Sequence, residues 1–118
     1  MRAAEAWEIR YYRDPDGHMP FHEWLVSLRS RAAASAVEIR LDRLTRGLFG
    51  DCKPVGEGVL EFRVHLGPGY RGYFARSGRN VILLLCGGDK RSQDRDIGRA
   101  KDYWRDYEER IRFTRGPC

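Results

Sequence analysis

The 118 residues predict a small α+β domain of element order β-α-α-β-β-β-α, a mostly antiparallel sheet with an N-terminal helical hairpin and a C-terminal helix. Three observations carry this. Val59 to Leu66 alternates strictly, with Leu60, Phe62, Val64 and Leu66 on one face and Val59, Glu61, Arg63 and His65 on the other. Two consecutive segments before it repeat apolar residues at helical spacing, and a third such stripe closes the chain. Hydrophobic residues at 42% and charged residues at 33% are a globular composition, and the length suits one domain, residues 1–118, with its core over about 7–111.

Trp7 to Tyr12 alternates and is aromatic and β-branched, a first strand that Asp14-Pro15-Asp16-Gly17 stops. Pro20 suits a helix's first turn, behind which Phe21, Trp24, Leu25 and Leu28 recur. Ala33, Val37, Leu41, Leu44 and Leu48 follow almost at once as a second helix, ended by Gly47 or Gly50. Two helices joined so tightly form an antiparallel hairpin. Asp51 to Gly58 reads as an irregular loop. After Val59 to Leu66, Gly67-Pro68-Gly69 offers Pro then Gly for the centre of a tight turn, and Tyr70 to Arg76 returns as a hairpin partner. Ser77-Gly78-Arg79-Asn80 turns the chain again. Val81 to Cys86, apolar on both faces, reads as a central strand broken by Gly87-Gly88. Ser92 then reads as the N-cap of a last helix, with Asp94 and Asp96 in its first turn and Ile97, Ala100, Trp104, Tyr107 and Ile111 as its stripe. The tail after Phe113 reads as loose.

Val81 to Cys86 is also the longest apolar run, six residues against the roughly 20 that cross a bilayer. Met1 to Arg10 carries Glu5 and Glu8 and has no apolar core of a secretory signal, so a cytoplasmic location is expected and no membrane. Cys52, Cys86 and Cys118 are odd in number and lack metal-ligand spacing, which fits free thiols. The net charge of +5 is local. Arg63, Arg71, Arg76, Arg79, Lys90, Arg91 and Arg95 meet only Asp89 and Asp94 between Arg63 and Arg95, and the rest of the chain is formally neutral. A basic patch on a neutral body is a footprint for a polyanion or an acidic protein.

Gly67-x-Gly69-x-x-Gly72 meets the letter of a dinucleotide fingerprint, but its third glycine should open a helix, whereas Tyr70 to Arg76 alternates as a strand. Gly87 to Ser92 lacks the spacing of a nucleotide-triphosphate loop, yet it sets Lys90 beside a helix start, a position suited to a phosphate. His18 and His22 have no third ligand at metal spacing, and no Gly-x-Ser-x-Gly elbow is present, so neither a metal, a cofactor nor an acyl-enzyme is expected. The constellation that carries chemistry is Arg63 and His65 on one strand, Arg71 and Tyr73 on its partner, and Lys90 after the next. Metal-free RNA cleavage needs such groups: one to take the 2′-hydroxyl proton, one to protonate the leaving oxygen, and cations on the pentavalent phosphate. Aromatics among arginines also suit base stacking. As a bland alternative, these residues are the solvent face of a sheet whose other face is core.

The blocks Gly58-Val59-Leu60-Glu61-Phe62-Arg63, Gly67-Pro68-Gly69-Tyr70-Arg71-Gly72-Tyr73-Phe74 and Leu83-Leu84-Leu85-Cys86-Gly87-Gly88-Asp89-Lys90-x-x-Gln93-x-x-Asp96-Ile97-x-x-Ala100 give the chain a family likeness. From about Trp7 to Arg110 it resembles the addiction-module killer proteins, HigB-like members of the RelE/ParE toxin superfamily. That resemblance implies a type II toxin held by a cognate antitoxin, commonly of helix-turn-helix type. RelE-like members cleave mRNA in the ribosomal A site, as mRNA interferases that stop translation. ParE-like members instead inhibit DNA gyrase, and an inactive antitoxin-binding module is a third expectation. The basic strand face favours the RNA-cleaving branch. By position, Arg71 resembles the strand arginine that stabilises the phosphate in that branch, and Lys90 the cation after the following strand. Tyr73 and His65 join them as catalytic candidates, with Arg63, Arg76, Arg79, Arg91 and Arg95 as RNA-binding ones. RNA-cleaving relatives often place a tyrosine or histidine near the chain end, and Phe113 to Cys118 offers neither. Tyr103 and Tyr107 on the last helix read as packing.

Overall fold

A computed structural model describes residues 6–115. Its elements run β1 (Glu8–Tyr11), α1 (Pro20–Ser27), α2 (Arg31–Thr45), β2 (Cys52–Gly56), β3 (Val59–Val64), β4 (Tyr70–Ser77), β5 (Val81–Asp89), a single 3₁₀ turn (Lys90–Ser92) and α3 (Gln93–Arg115). The five strands form one sheet of order β1-β5-β4-β3-β2, antiparallel except for β1, which pairs parallel to β5. The result is a small α+β domain with an N-terminal helical hairpin, a mixed sheet and a C-terminal helix.

The local causes are legible. Pro20 opens α1, which buries Phe21 and Leu25 four residues apart. Ser30 caps α2 by accepting from the Ala33 N–H at 3.1 Å, and Ala33, Val37, Leu41 and Leu44 are its buried stripe. Gly47, at φ +77°, ends it: the Leu48 and Gly47 amides bond back to the Arg43 and Leu44 carbonyls, a paired closure that needs a left-handed residue. These helices lie on one face of the sheet, over Phe62, Val64, Phe74, Ile82 and Leu84. α3 covers the other face, over Val59, Tyr73, Ala75, Leu83, Leu85 and Cys86. Leu85 and Cys86 share that face because the β4–β5 register slips between Tyr73 and Phe74.

The structure refines several local expectations. Asp51 to Gly58 is no loop: Cys52–Gly56 is an edge strand, hidden from its sequence by Pro54 and by a register shift at Pro54/Gly56. Val81 to Cys86 does lie in an interior strand, β5, between β1 and the middle strand β4, as its apolarity on both faces predicts. Gly87-Gly88 continues β5, because its glycines let partners in. A Cβ on Gly87 would lie 2.2 Å from the Trp24 ring, and one on Gly88 1.8 Å from the Asp96 carboxylate. The turn after β3 centres on Gly67 and Pro68, closed by Gly69 N–H to Leu66 C=O at 2.8 Å, with Gly67 at φ +50°. Asp89 caps the 3₁₀ turn that leads into α3: its Oδ1 accepts from the Arg91 and Ser92 amides, and Ser92 Oγ, just before α3, accepts from the Asp89 amide to complete the box. α3 also continues through Arg115 rather than loosening at Phe113. Residues 116–118, with Cys118 and the rest of the expected tail, and residues 1–5 lie outside the described residues.

Candidate functional site

Period-two alternation places Glu61 and Arg63 on the α3 face of β3, and Arg71 and Tyr73 on the same face of β4. The register sets Arg63 directly opposite Arg71 and Glu61 directly opposite Tyr73. Two arginines facing across adjacent strands repel, so something must lie between them. Glu61 does. Its carboxylate is fully buried and accepts from Arg63 Nε at 3.0 Å on Oε1, and from the Tyr73 hydroxyl at 3.0 Å and Gln93 Nε2 at 2.9 Å on Oε2. Arg71 Nε stands 3.8 Å from the same Oε2, an ion pair too long for a hydrogen bond. Among the described residues, that Nε is the one buried side-chain nitrogen or oxygen left without a hydrogen-bond partner.

Burial by itself would raise the Glu61 carboxyl, but hydrogen bonds from Gln93, Arg63 and Tyr73, with the charge of Arg63, outweigh it and hold it below its ordinary value. Burial, the Glu61 charge and the hydrogen bond donated to it push the Tyr73 phenol upward. Both effects fix the same proton on the tyrosine. The cluster thus holds two cations and one anion, a net excess of positive charge at one end of the sheet.

The turn between β3 and β4 ties Lys90 to this end. The Gly69 carbonyl accepts the Lys90 amide at 3.0 Å and Arg71 Nη1 at 3.5 Å, so the exposed Lys90 side chain starts beside the buried arginine. Next to Lys90, Arg91 is exposed and pairs loosely with Asp89 at 3.7 Å, and Arg95 stands one turn into α3. A cleft of about 470 Å³ opens alongside, between α1 and the start of α3, with Trp24, Tyr70, Arg95 and Arg99 among its walls.

The nominated residues therefore divide. Arg63, Arg71, Tyr73 and Lys90 converge, with Arg91 and Arg95 nearby. Arg76 and Arg79 do not. Arg76 sits on the hairpin side with its guanidinium over the Phe49 ring at 5.3 Å, and Arg79 is in the β4–β5 turn; both lie at the other end of β4, roughly 16 Å or more from Arg71 at strand rise. Nor are Arg63, His65, Arg71 and Tyr73 together the solvent face of the sheet. Tyr73 is wholly buried and Arg71 is 7% exposed, because the start of α3 lies over them. His65 is open to solvent at the end of β3, its Nε2 2.9 Å from Asp51 Oδ2. The hydrogen bond from His65 pulls the Asp51 carboxyl down against a smaller opposing effect of burial, and the charges of Arg40 and Arg63 add to the pull.

Glu61, Gln93 and Asp51 are participants that sequence reasoning passed over. Glu61 carried a signal, a carboxylate on the same alternating face as Arg63. Gln93 stood in a motif block but without a role, and Asp51 carried no signal, since neither strand alternation nor charge counting says what a helix start or an edge strand brings near. Cys86 is buried, with burial pushing its thiol up to about 12, and serves as core filling. His18 faces Glu23 at 3.2 Å and His22 packs edge-on against Tyr11. Among the described residues no three His, Cys, Asp or Glu side chains gather to hold a metal, and no helix is long and apolar enough to cross a membrane.

No family model matches the chain. A Haemophilus influenzae protein described as uncharacterized is similar to it, 42% identical over 83 residues that cover 70% of this chain and 84% of the relative. The chain belongs to the same family as that protein.

Proposed function

We propose that this chain, and with it the family it shares with the Haemophilus influenzae protein, is the toxin of a type II toxin–antitoxin module: a HigB-like member of the RelE/ParE superfamily that cleaves mRNA on the ribosome without a metal. One observation carries the reading. Arg63 and Arg71 are held face to face on neighbouring strands with a single carboxylate between them, and Lys90 rises from the adjoining turn. A fold does not keep like charges apposed for stability, and a phosphodiester is the anion whose oxygens such a cluster suits. The antiparallel core strands, the helical hairpin and the closing helix support the superfamily placement.

In this mechanism the RNA 2′-hydroxyl attacks the adjacent phosphorus while the bond to the 5′ oxygen breaks, and the departing oxygen takes a proton from water, leaving a cyclic phosphate and a 5′-hydroxyl. His65, oriented by Asp51, accepts the 2′ proton. Arg71 and Lys90 stabilise the charge that builds on the phosphate oxygens, with Arg63 contributing from behind. Arg91 and Arg95 hold flanking phosphates. Tyr73 moves no proton, because its hydroxyl is buried and committed to Glu61. A cognate antitoxin, of helix-turn-helix type, holds the toxin inactive, and the working partners are the ribosome and mRNA in the cytoplasm.

The test is a defined translation reaction with purified protein, mRNA 5′ ends mapped by primer extension, and a parallel tube without ribosomes. The expected result is codon-phased cuts that appear only with ribosomes. Intact mRNA in both tubes defeats the reading. A blocked gyrase supercoiling reaction would then assign the ParE-like activity, and no effect in either assay an inactive antitoxin-binding module.

A further inference from the structure

We infer that Glu61 is a positioning residue, a buried carboxylate that fixes Arg71 in its phosphate-facing place and keeps Arg63 and Arg71 together. The inference rests on the reading of Arg71 as the phosphate-stabilising arginine. Glu61 has no exposed surface, so it touches no substrate and acts only through its neighbours. Three donors hold it from three elements: Arg63 from its own strand, Tyr73 from β4 and Gln93 from the first turn of α3. Its own place is thereby set by the sheet and by the helix together.

Arg71 is tied differently. Its one hydrogen bond is the 3.5 Å contact to the Gly69 carbonyl, and its Nε, although buried, donates to nothing. What holds the guanidinium in place is the charge of Glu61 at 3.8 Å and packing under α3. Without that charge, Arg71 would face Arg63 across the ladder uncompensated and would swing out. Removing the charge while keeping the side chain's shape, as Glu61→Gln does, therefore separates positioning from bulk. An amide of the same size still fills the cavity and still accepts one hydrogen bond.

The test has two arms on the full chain. In the first, mRNA cleavage is measured in a double-mutant cycle of Glu61→Gln and Arg71→Lys. The expected result is a loss of about 100-fold for Glu61→Gln, the scale of a misplaced catalytic group, and less than twofold further loss when it is added to Arg71→Lys. Fully multiplying losses, the mark of a merely structural carboxylate, would overturn the inference. In the second arm the Arg71 Nε–H cross-peak is followed by ¹H–¹⁵N correlation NMR, identified by its absence in Arg71→Lys. A sharp signal in the wild type that shifts or broadens in Glu61→Gln is expected. An unmoved signal overturns the positioning role whether or not the protein cuts RNA, while absence of cleavage by the wild type bears on the proposed function alone. If Glu61→Gln does not fold, Gln93→Ala, at a half-exposed position, withdraws one donor from the same carboxylate oxygen, and an Arg71 signal that it leaves unmoved overturns the inference.

Discussion

The two faces of this sheet are built on opposite principles. Under the helical hairpin, Phe21, Val37, Leu44, Phe62, Phe74, Ile82 and Leu84 are all fully buried and none carries a polar atom in its side chain. Under α3 the same sheet begins at one end with Val59, Ala75 and Leu83 and finishes at the other with Glu61, Tyr73 and Arg71, an ionic cluster almost as well buried. The dry face gains from every methylene it hides. The ionic end gains little from its ion pairs once desolvation is counted, and a buried pair is weak ground for stability. The contrast teaches that one face holds the fold and so frees the end of the other to keep charge where charge is costly.

That comparison can be broken most directly from the dry side. Phe62→Ala should cost about 3–5 kcal/mol, the usual range for truncating a buried aromatic, read as a fall in the urea midpoint. Phe62 packs at a tilt against Phe74 and lies under Gly72, where an added Cβ would sit 2.2 Å from its ring. A loss below about 1 kcal/mol would show that the hairpin face is not the main support.

Tyr73→Phe comes next. It deletes one hydrogen bond to a buried carboxylate, a change of about 1.5–3 kcal/mol, and should lower mRNA cleavage far less than Glu61→Gln does, since that hydroxyl acts only through Glu61, which Arg63 and Gln93 still hold. Abolished cleavage with an unchanged urea midpoint would return Tyr73 to the chemistry and erase the division between a stabilising and a working group.

A smaller effect sharpens the comparison by pH. The folded-state value of Glu61 is depressed below its ordinary 4.5, so its contribution is fully present above that value and is lost as pH falls through the lower folded one. Stability measured by urea unfolding should therefore decline below about pH 4.5, and less steeply in Glu61→Gln. Parallel wild-type and variant curves would mean that the carboxylate contributes no pH dependence.

The smallest expected change in stability accompanies the largest change in activity. His65→Ala and Lys90→Ala remove exposed side chains and should leave the urea midpoint in place, while each lowers mRNA cleavage by about 100-fold or more, the scale of a lost general base or phosphate cation. The sequence makes Arg71 seem equally free to mutate as an exposed cation. Its burial changes that: Arg71→Ala uncovers Glu61 as well, and Arg71→Lys, which keeps charge but loses the planar fork, is the cleaner variant. Full cleavage by Lys90→Ala and His65→Ala together would place the chemistry elsewhere.

Much of this was readable in the chain. Strict alternation in Val59 to Leu66 assigned Glu61 and Arg63 to one face and Phe62 and Val64 to the other, and the structure keeps that division. Helical spacing found all three helices, though the second stops at Thr45, closed by Gly47, the first of the two glycines offered, and leaves Leu48 outside it and exposed. The edge strand Cys52–Gly56 escaped because proline and a register shift blur its period, and Gly87-Gly88 read as a break because a glycine pair signals a turn unless one knows what packs against it.

What the sequence by itself determined is what is set by neighbours within a few residues: the periods of the helices and most strands, the likeness of the motif blocks, and the gathering of positive charge between Arg63 and Arg95. What only the tertiary structure decided is which of those charges meet. Register brought Arg63 opposite Arg71, the closing helix sealed Tyr73 and Glu61 from water and supplied Gln93, and the length of β4 carried Arg76 and Arg79 away. The physical reason is that local conformation follows from the chemistry of adjacent residues, whereas burial and ion pairing depend on distances between residues remote in sequence, and those exist only once the chain has packed.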